Sequence, residues 1–271
     1  MSLTSFIKIK EVRIKFRETF IIPEFILEKP IAAEPLTNNY MLVGTAFDYL
    51  LRFYLKRLNP NAITSTWVAE LAVKQMSETT EWTSTYVKAR AIVQRARRLY
   101  SDYLRNGEMT KDIMKSVLLL AQLDRVFREG RLGANFWIID KQDAADLENL
   151  IKIVNSNDFT ARNICLLNPT FGKASELVGG ADADLLIDDT LIDIKTTKYL
   201  RFDRAMLNQL LGYYVLYKIG GIGSTDHKIN RLGIYYSRHG ELHTFSVHDV
   251  IGENDIAAFI RWFENKAAIY F

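Results

Sequence analysis

The chain has 271 residues, 48% of them hydrophobic and 25% charged, with a net charge of +3. That is enough apolar material for one large core, and a charge balance that permits a polyanionic partner without a histone-like excess of cations. The single cysteine, Cys165, excludes a disulfide framework, a zinc ribbon and a cysteine-ligated iron–sulfur cluster, and suits a reducing cytoplasmic compartment. No apolar run approaches the ~20 residues of a membrane-spanning helix, and five Lys/Arg interrupt the N-terminus, so a soluble intracellular protein without a membrane partner is expected.

In residues 1–40 apolar and basic positions alternate in a way that fits helix or strand, and Pro23, Pro30 and Pro35 keep the following segment extended. From Gly44 to Leu58 the apolar positions recur at helical spacing, and Asn59-Pro60 ends the helix. Residues 63–156 read as a run of helices: Thr80 to Arg105, Thr110 to Glu129 behind a Thr cap, and Asp143 to Val154. On the first of these Ala89, Ile92, Ala96, Leu99 and Tyr103 form the core stripe. Lys88, Arg95, Arg98 and Arg105 share another side, which reads first as a solvated face and second as a phosphate contact.

After residue 160 strands take over. A hairpin runs through Leu185–Ile187 and Leu191–Ile194 about Asp188-Asp189. Asp203 is placed to cap a helix from Arg204 to about Ile219, stopped by Gly220-Gly221. A second hairpin joins Arg231–Ser237 to Glu241–Val247, and a helix from Asp255 to about Ile269 closes the chain. The expected architecture is a single α/β domain over 1–271. It has a first core helix (40–60), a helical insertion (63–156), a mixed central sheet carrying the site (160–250) and a C-terminal helix (254–271).

The first hairpin carries the chemistry. A two-residue loop sets Asp184 opposite Asp193 and Asp182 opposite Lys195, all four on one face, with Ala183, Leu185, Ile192 and Ile194 on the other. Directly opposed carboxylates destabilise a sheet unless something neutralises them, and Mg²⁺ or Mn²⁺ prefers such hard oxygen donors. Lys195 on the same face orients an attacking water or offsets charge on a pentavalent phosphorus. Asp182 and Asp184 compete for the first-strand ligand position, and side-chain parity does not separate them.

Three segments together resemble the PD-(D/E)XK nuclease superfamily, within it the RecB-like and CRISPR-associated exonuclease group. They are Gly179-Gly180-Ala181-Asp182 with the overlapping Ala183–Ile187, Leu191–Thr196 as hydrophobic-D-x-K-T, and Gln209–Tyr213 as Q-x-x-x-Y. The resemblance covers residues 176–217. It implies a restriction-endonuclease-like core, metal-dependent hydrolysis of DNA phosphodiesters and an exonuclease or end-processing activity. It further implies that Gln209 and Tyr213 contact the metal-bound water or DNA phosphates. Upstream, Gly44-Thr45-Ala46-Phe47-Asp48 matches the family's G-x-x-x-H with Asp48 in place of the histidine, as a further metal ligand. The iron–sulfur cysteines of some members are missing. Glu176 is a weaker candidate ligand.

Lys198, Arg201 and Arg204 follow the active strand and are expected to meet DNA phosphates. Phe171-Gly172-Lys173-Ala174-Ser175 lacks the glycine a P-loop needs, and Gly221-Ile222-Gly223 follows a helix instead of opening one. The histidines lack metal-ligand spacing and read as surface residues, and Cys165 as a buried inert thiol. The rival reading is a non-catalytic nucleic-acid-binding or interaction module that has kept the nuclease fold.

Overall fold

The computed structural model describes residues 2–78, 82–131, 136–223, 227–252 and 256–271. In chain order the elements are α1 (Leu3–Phe6), α2 (Lys10–Thr19), α3 (Tyr40–Leu58), β1 (Ile63–Thr64), α4 (Val68–Ser77) and α5 (Thr83–Asn106). They continue with α6 (Lys111–Glu129), α7 (Lys141–Lys152), β2 (Cys165–Leu167), β3 (Leu185–Ile187), β4 (Thr190–Lys195) and α8 (Arg204–Gly220). The chain ends with β5 (Arg231–Tyr236), β6 (Glu241–Ser246), α9 (Val247–Ile251) and α10 (Ile256–Tyr270). The predicted starts at Thr80 and Asp255 lie outside the described residues.

Among the described residues the strands form one mixed six-stranded sheet in the order β1-β2-β3-β4-β5-β6. β1 runs parallel to β2 and β4 parallel to β5, with antiparallel pairing elsewhere. α8 is the crossover that lets β4 and β5 run in the same direction. Strand alternation divides the core in two. Leu167, Leu185, Ile187, Ile192 and Tyr235 face a cluster built with α3–α7, while Leu166, Leu186, Leu191, Leu232 and Tyr236 face one built with α1, α2, α8 and α10. The inner strands β2–β5 are thus largely buried, with a core on either face of the sheet, as suits the parallel β4–β5 pair.

Local chemistry sets the helix ends. The Thr110 hydroxyl accepts the Ile113 N–H, and α6 stops where Gly130 takes φ 68°. Asp203 caps α8 by accepting from the Ala205 and Met206 N–H groups. A Cβ on Gly220 would lie 2.3 Å from the Phe171 carbonyl oxygen, so only glycine lets α8 end there.

Several expectations are corrected. The ambiguous first segment is helical in α1 and α2, with Phe6, Val12 and Phe16 buried against the last helix and α8. The insertion begins not with a helix but with β1, which joins the sheet through β2. β2 itself is a fully buried three-residue strand, too short to show a period. On α5 the buried stripe is Ala89, Val93, Ala96, Tyr100 and Tyr103, rotated from the expected one because α4 and α6 both pack against it. Its basic side is partly neutralised within the chain. Arg95 pairs with Asp112 at 3.0 Å, Arg105 pairs with Asp102, and Lys88 lies 4.7 Å from the Trp137 ring centre.

The second hairpin turn is not a surface feature. Arg238 is 1% exposed and His239 3%, and the Arg238 guanidinium makes a bidentate pair with Asp146 of α7 at 2.8 and 3.0 Å. Cys165 is buried as expected, its thiol pushed up to about 12 by burial and the nearby Asp188 charge. Among the described residues no helix is long and apolar enough to cross a membrane.

Candidate active site

The β3–β4 hairpin forms in the expected register, with Leu185 opposite Ile192, Leu186 opposite Leu191 and Ile187 opposite Thr190. Asp188 takes φ 51° in the turn, and its carboxylate accepts the N–H groups of Arg162, Asn163 and Ile164. One step beyond the ladder the Asp184 carboxylate turns across to accept the Ile194 N–H at 2.6 Å. It therefore sits beside Asp193, which is 3% exposed.

Here the hairpin opens. Asp184 lies in a bend, its carbonyl accepts from the Asn168 N–H, and Asp182 bridges Thr170 instead of pairing with Lys195. Ala183 accordingly packs in the cluster opposite to that of Leu185 and Ile192. The expectation that Asp182 shares the strand face of Lys195 is corrected: pairing with residues 169–170 pulls the chain away from β4. The Asp182 carboxylate instead comes within 3.9 Å of Arg128.

On β4 the Lys195 ammonium lies 2.5 Å from Asp193 Oδ2 and donates to Gln209 Oε1 at 3.0 Å. Gln209 Nε2 in turn donates to the Tyr213 hydroxyl at 3.0 Å, one turn along α8. Tyr213 is buried and stacked on Phe171, with ring centres 5.7 Å apart. The four residues Asp193, Lys195, Gln209 and Tyr213 thus form one connected chain from strand to helix.

Charge states follow from burial and neighbours. Burial, then the Asp193 and Asp48 charges, raise the Asp184 carboxyl well above the usual carboxylate range, against the opposing Ile194 N–H and Lys195. Burial works to deprotonate Lys195, but Asp193 outweighs it and holds the ammonium above its ordinary value. Burial and the two carboxylates likewise keep the Tyr213 phenol protonated.

Asp48 on α3 is near enough to influence Asp184, yet it is already engaged: one oxygen pairs with Arg52, and Oδ1 is buried without a partner among the described residues. Burial, with Asp124 and Asp182 adding to it, raises its carboxyl despite Arg52. Behind it stands a polar wall that the motif reading missed. Arg52 lies 4.5 Å from the Tyr49 ring centre, the Tyr49 hydroxyl donates to Asp124 at 3.4 Å, and Arg128 donates to Asp124 at 2.5 Å. The signal that could have found it is the i,i+4 pairing of Asp48 with Arg52 and Asp124 with Arg128 on predicted helices.

Among the described residues no three His, Cys, Asp or Glu side chains gather closely enough to hold one ion. The four-aspartate set is therefore not brought together as a cluster: Asp184 and Asp193 form the pair, Asp48 is their neighbour, and Asp182 is turned toward Arg128. A pair still fits Mg²⁺, which commonly takes one or two carboxylates and keeps several waters. Glu176 is exposed on a 3-10 turn (Gly172–Val178).

Of the expected phosphate contacts, Lys198 and Arg201 are exposed and flank the Tyr199 ring at 5.2 and 5.7 Å. Arg204 is half-buried, donates to the Phe20 carbonyl at 2.8 Å and lines a cleft with Lys195 and Gln209.

Comparison of the chain with protein-family models, curated protein sequences and solved structures finds no match.

Proposed function

We propose that the protein is a Mg²⁺- or Mn²⁺-dependent nuclease on a restriction-endonuclease-like core, hydrolysing DNA phosphodiester bonds and working from ends. The observation that carries this reading is the chain Asp193–Lys195–Gln209–Tyr213 beside the buried Asp184. Two carboxylates crowded at one point, one of them driven toward its neutral form, are what a divalent cation would relieve. Asp184 and Asp193 would hold the ion, with Asp48 adding negative potential from α3. When bound, the ion supplies Lewis-acid polarisation of the phosphate and a lowered pKa for its water.

The protein's own groups have distinct tasks. Lys195 stays an ammonium, so its part is to stabilise negative charge developing on the phosphoryl oxygens, not to remove a proton. Gln209 fixes the direction of that ammonium, and Tyr213 fixes the Gln209 amide. With Gln209 Nε2 donating to it, the Tyr213 hydroxyl proton is left to orient a water or a phosphate oxygen. The rival, a non-catalytic nucleic-acid-binding module, draws on the Arg52 pairing of Asp48 and the displacement of Asp182.

The test is incubation with linear and closed circular DNA in Mg²⁺, Mn²⁺ or EDTA. Metal-dependent loss of linear DNA with survival of circles supports an end-dependent nuclease, cleavage of both makes it an endonuclease, and cleavage of neither favours the rival.

A further inference from the structure

A cleft of about 420 Å³ opens beside Lys195 and Gln209, between the N-terminal helices α1–α2 and the start of α8. Its rim carries Lys8, Arg13 and Arg204 against one carboxylate, Asp203, which is already occupied in capping α8. Among the described residues no acidic side chain forms an ion pair with Lys8, Arg13 or Arg204. Burial, and after it the neighbouring Arg17, hold the Arg204 guanidinium below its ordinary value, in keeping with a cation that pairs with no described carboxylate.

A second, independent observation points the same way. Asn208 lines the same cleft, is 2% exposed, and its Oδ1 accepts no hydrogen bond from the described residues. A buried amide oxygen without a donor is costly unless a ligand supplies one. Ile7, Ala205 and Met206 add apolar surface to the lining. Cations, an apolar wall and a buried acceptor are the complement of a nucleotide: phosphate, sugar and base faces, and a hydroxyl or amine that donates.

We propose that this cleft is a nucleotide subsite, holding the nucleotide next to the scissile phosphate of a single strand. Lys8, Arg13 and Arg204 take its phosphate, and Asn208 takes a donor on its sugar or base. The position relative to the scissile bond rests on the nuclease reading above; the binding of a nucleotide does not. The N-terminal helices thereby become part of the substrate path.

The experiment is fluorescence anisotropy of a short labelled DNA strand in EDTA, where binding is read without metal-dependent cleavage. Lys8→Ala/Arg13→Ala should weaken binding about ten-fold and lower the slope of log affinity against log salt by about 1.4, at roughly 0.7 per lost single-strand contact. Lys111→Ala/Lys115→Ala, which removes equal charge from the exposed side of α6, should bind as wild type. Asn208→Leu should weaken binding about five-fold without lowering the melting temperature, because leucine removes the buried, unpartnered Oδ1.

The inference is overturned if the Lys8/Arg13 variant matches wild type or its α6 control. It is overturned equally if Asn208→Leu loses stability and affinity together, or if polyglutamate competes as well as DNA of equal charge. Failure of the nuclease reading is seen separately, as wild-type protein that binds the strand through these residues yet cleaves nothing. Wild-type protein that neither binds nor cleaves contradicts both.

Discussion

Lys195 and Gln209, 14 residues apart on a strand and the helix that follows it, are joined by a 3.0 Å hydrogen bond between ammonium and amide oxygen. The bond matters because Lys195 also leans on Asp193, so two partners define where its charge points. Lys195→Ala removes that charge and should lower the cleavage rate by about 100-fold or more. Gln209→Ala leaves the ammonium in place but less directed and should cost about ten-fold, as should Tyr213→Phe or less. Single-turnover cleavage of end-labelled DNA, with folding checked by circular dichroism, separates these levels.

Asp184 pays for its position in stability. Its carboxyl is buried next to Asp193 and is raised well above the ordinary range. Asp184→Asn keeps an acceptor for the Ile194 N–H and removes the charge conflict. In EDTA near neutral pH it should therefore be more stable than wild type, by on the order of 1 kcal/mol, while losing cleavage. Adding Mn²⁺ should raise the melting temperature of wild type and not of Asp184→Asn. Differential scanning calorimetry in the two conditions reads both effects.

The β3–β4 turn predicts a pH dependence. Partial burial pushes the Asp188 carboxyl up, but N–H groups from Arg162, Asn163 and Ile164 outweigh it and hold the group below the ordinary 3.8. Because the folded value is the lower one, this stability is fully present above about pH 4 and is lost as pH falls through the folded value. Asp188→Ala should cost about 1–2 kcal/mol at pH 7 and progressively less below pH 4. Asp188→Asn, which tolerates the φ of 51°, should cost less. Urea denaturation at several pH values tests the order.

The second hairpin turn is anchored by the buried Arg238–Asp146 pair, with the guanidinium also donating to the Ala33 carbonyl. Asp146 and Arg238 are 0% and 1% exposed. Removing either partner alone strands a buried charge, so Arg238→Met or Asp146→Leu should each cost about 3–5 kcal/mol, and the double variant much less than their sum. Equilibrium urea unfolding of the three variants measures the coupling.

These residues also show what could be read from the chain alone. The hairpin register, the α8 caps and the Gln209–Tyr213 spacing depend on neighbours within a turn or two, and all appear as expected. The departure of Asp182 from β4 depends on Thr170, and β1 on a partner about a hundred residues away. Local alternation carries no trace of such pairings. The wall of Arg52, Asp124 and Arg128 leaves only i,i+4 charge pairs in the sequence, since its placement behind Asp48 is set by how α3 and α6 pack. The basic N-terminus fits helix or strand equally by sequence because burial against α8 and α10 decides it.

The proposed centre of Asp184, Asp193 and Lys195 is a metal-dependent phosphodiesterase. Its most direct measurement is the Mg²⁺- and Mn²⁺-dependent hydrolysis of linear end-labelled DNA by wild type, Asp193→Asn and Lys195→Ala in parallel. The proposed centre should give cleavage by wild type that EDTA stops and that both variants lose by at least about 100-fold while remaining folded. Absence of cleavage by wild type, or Lys195→Ala cleaving at the wild-type rate, would contradict it.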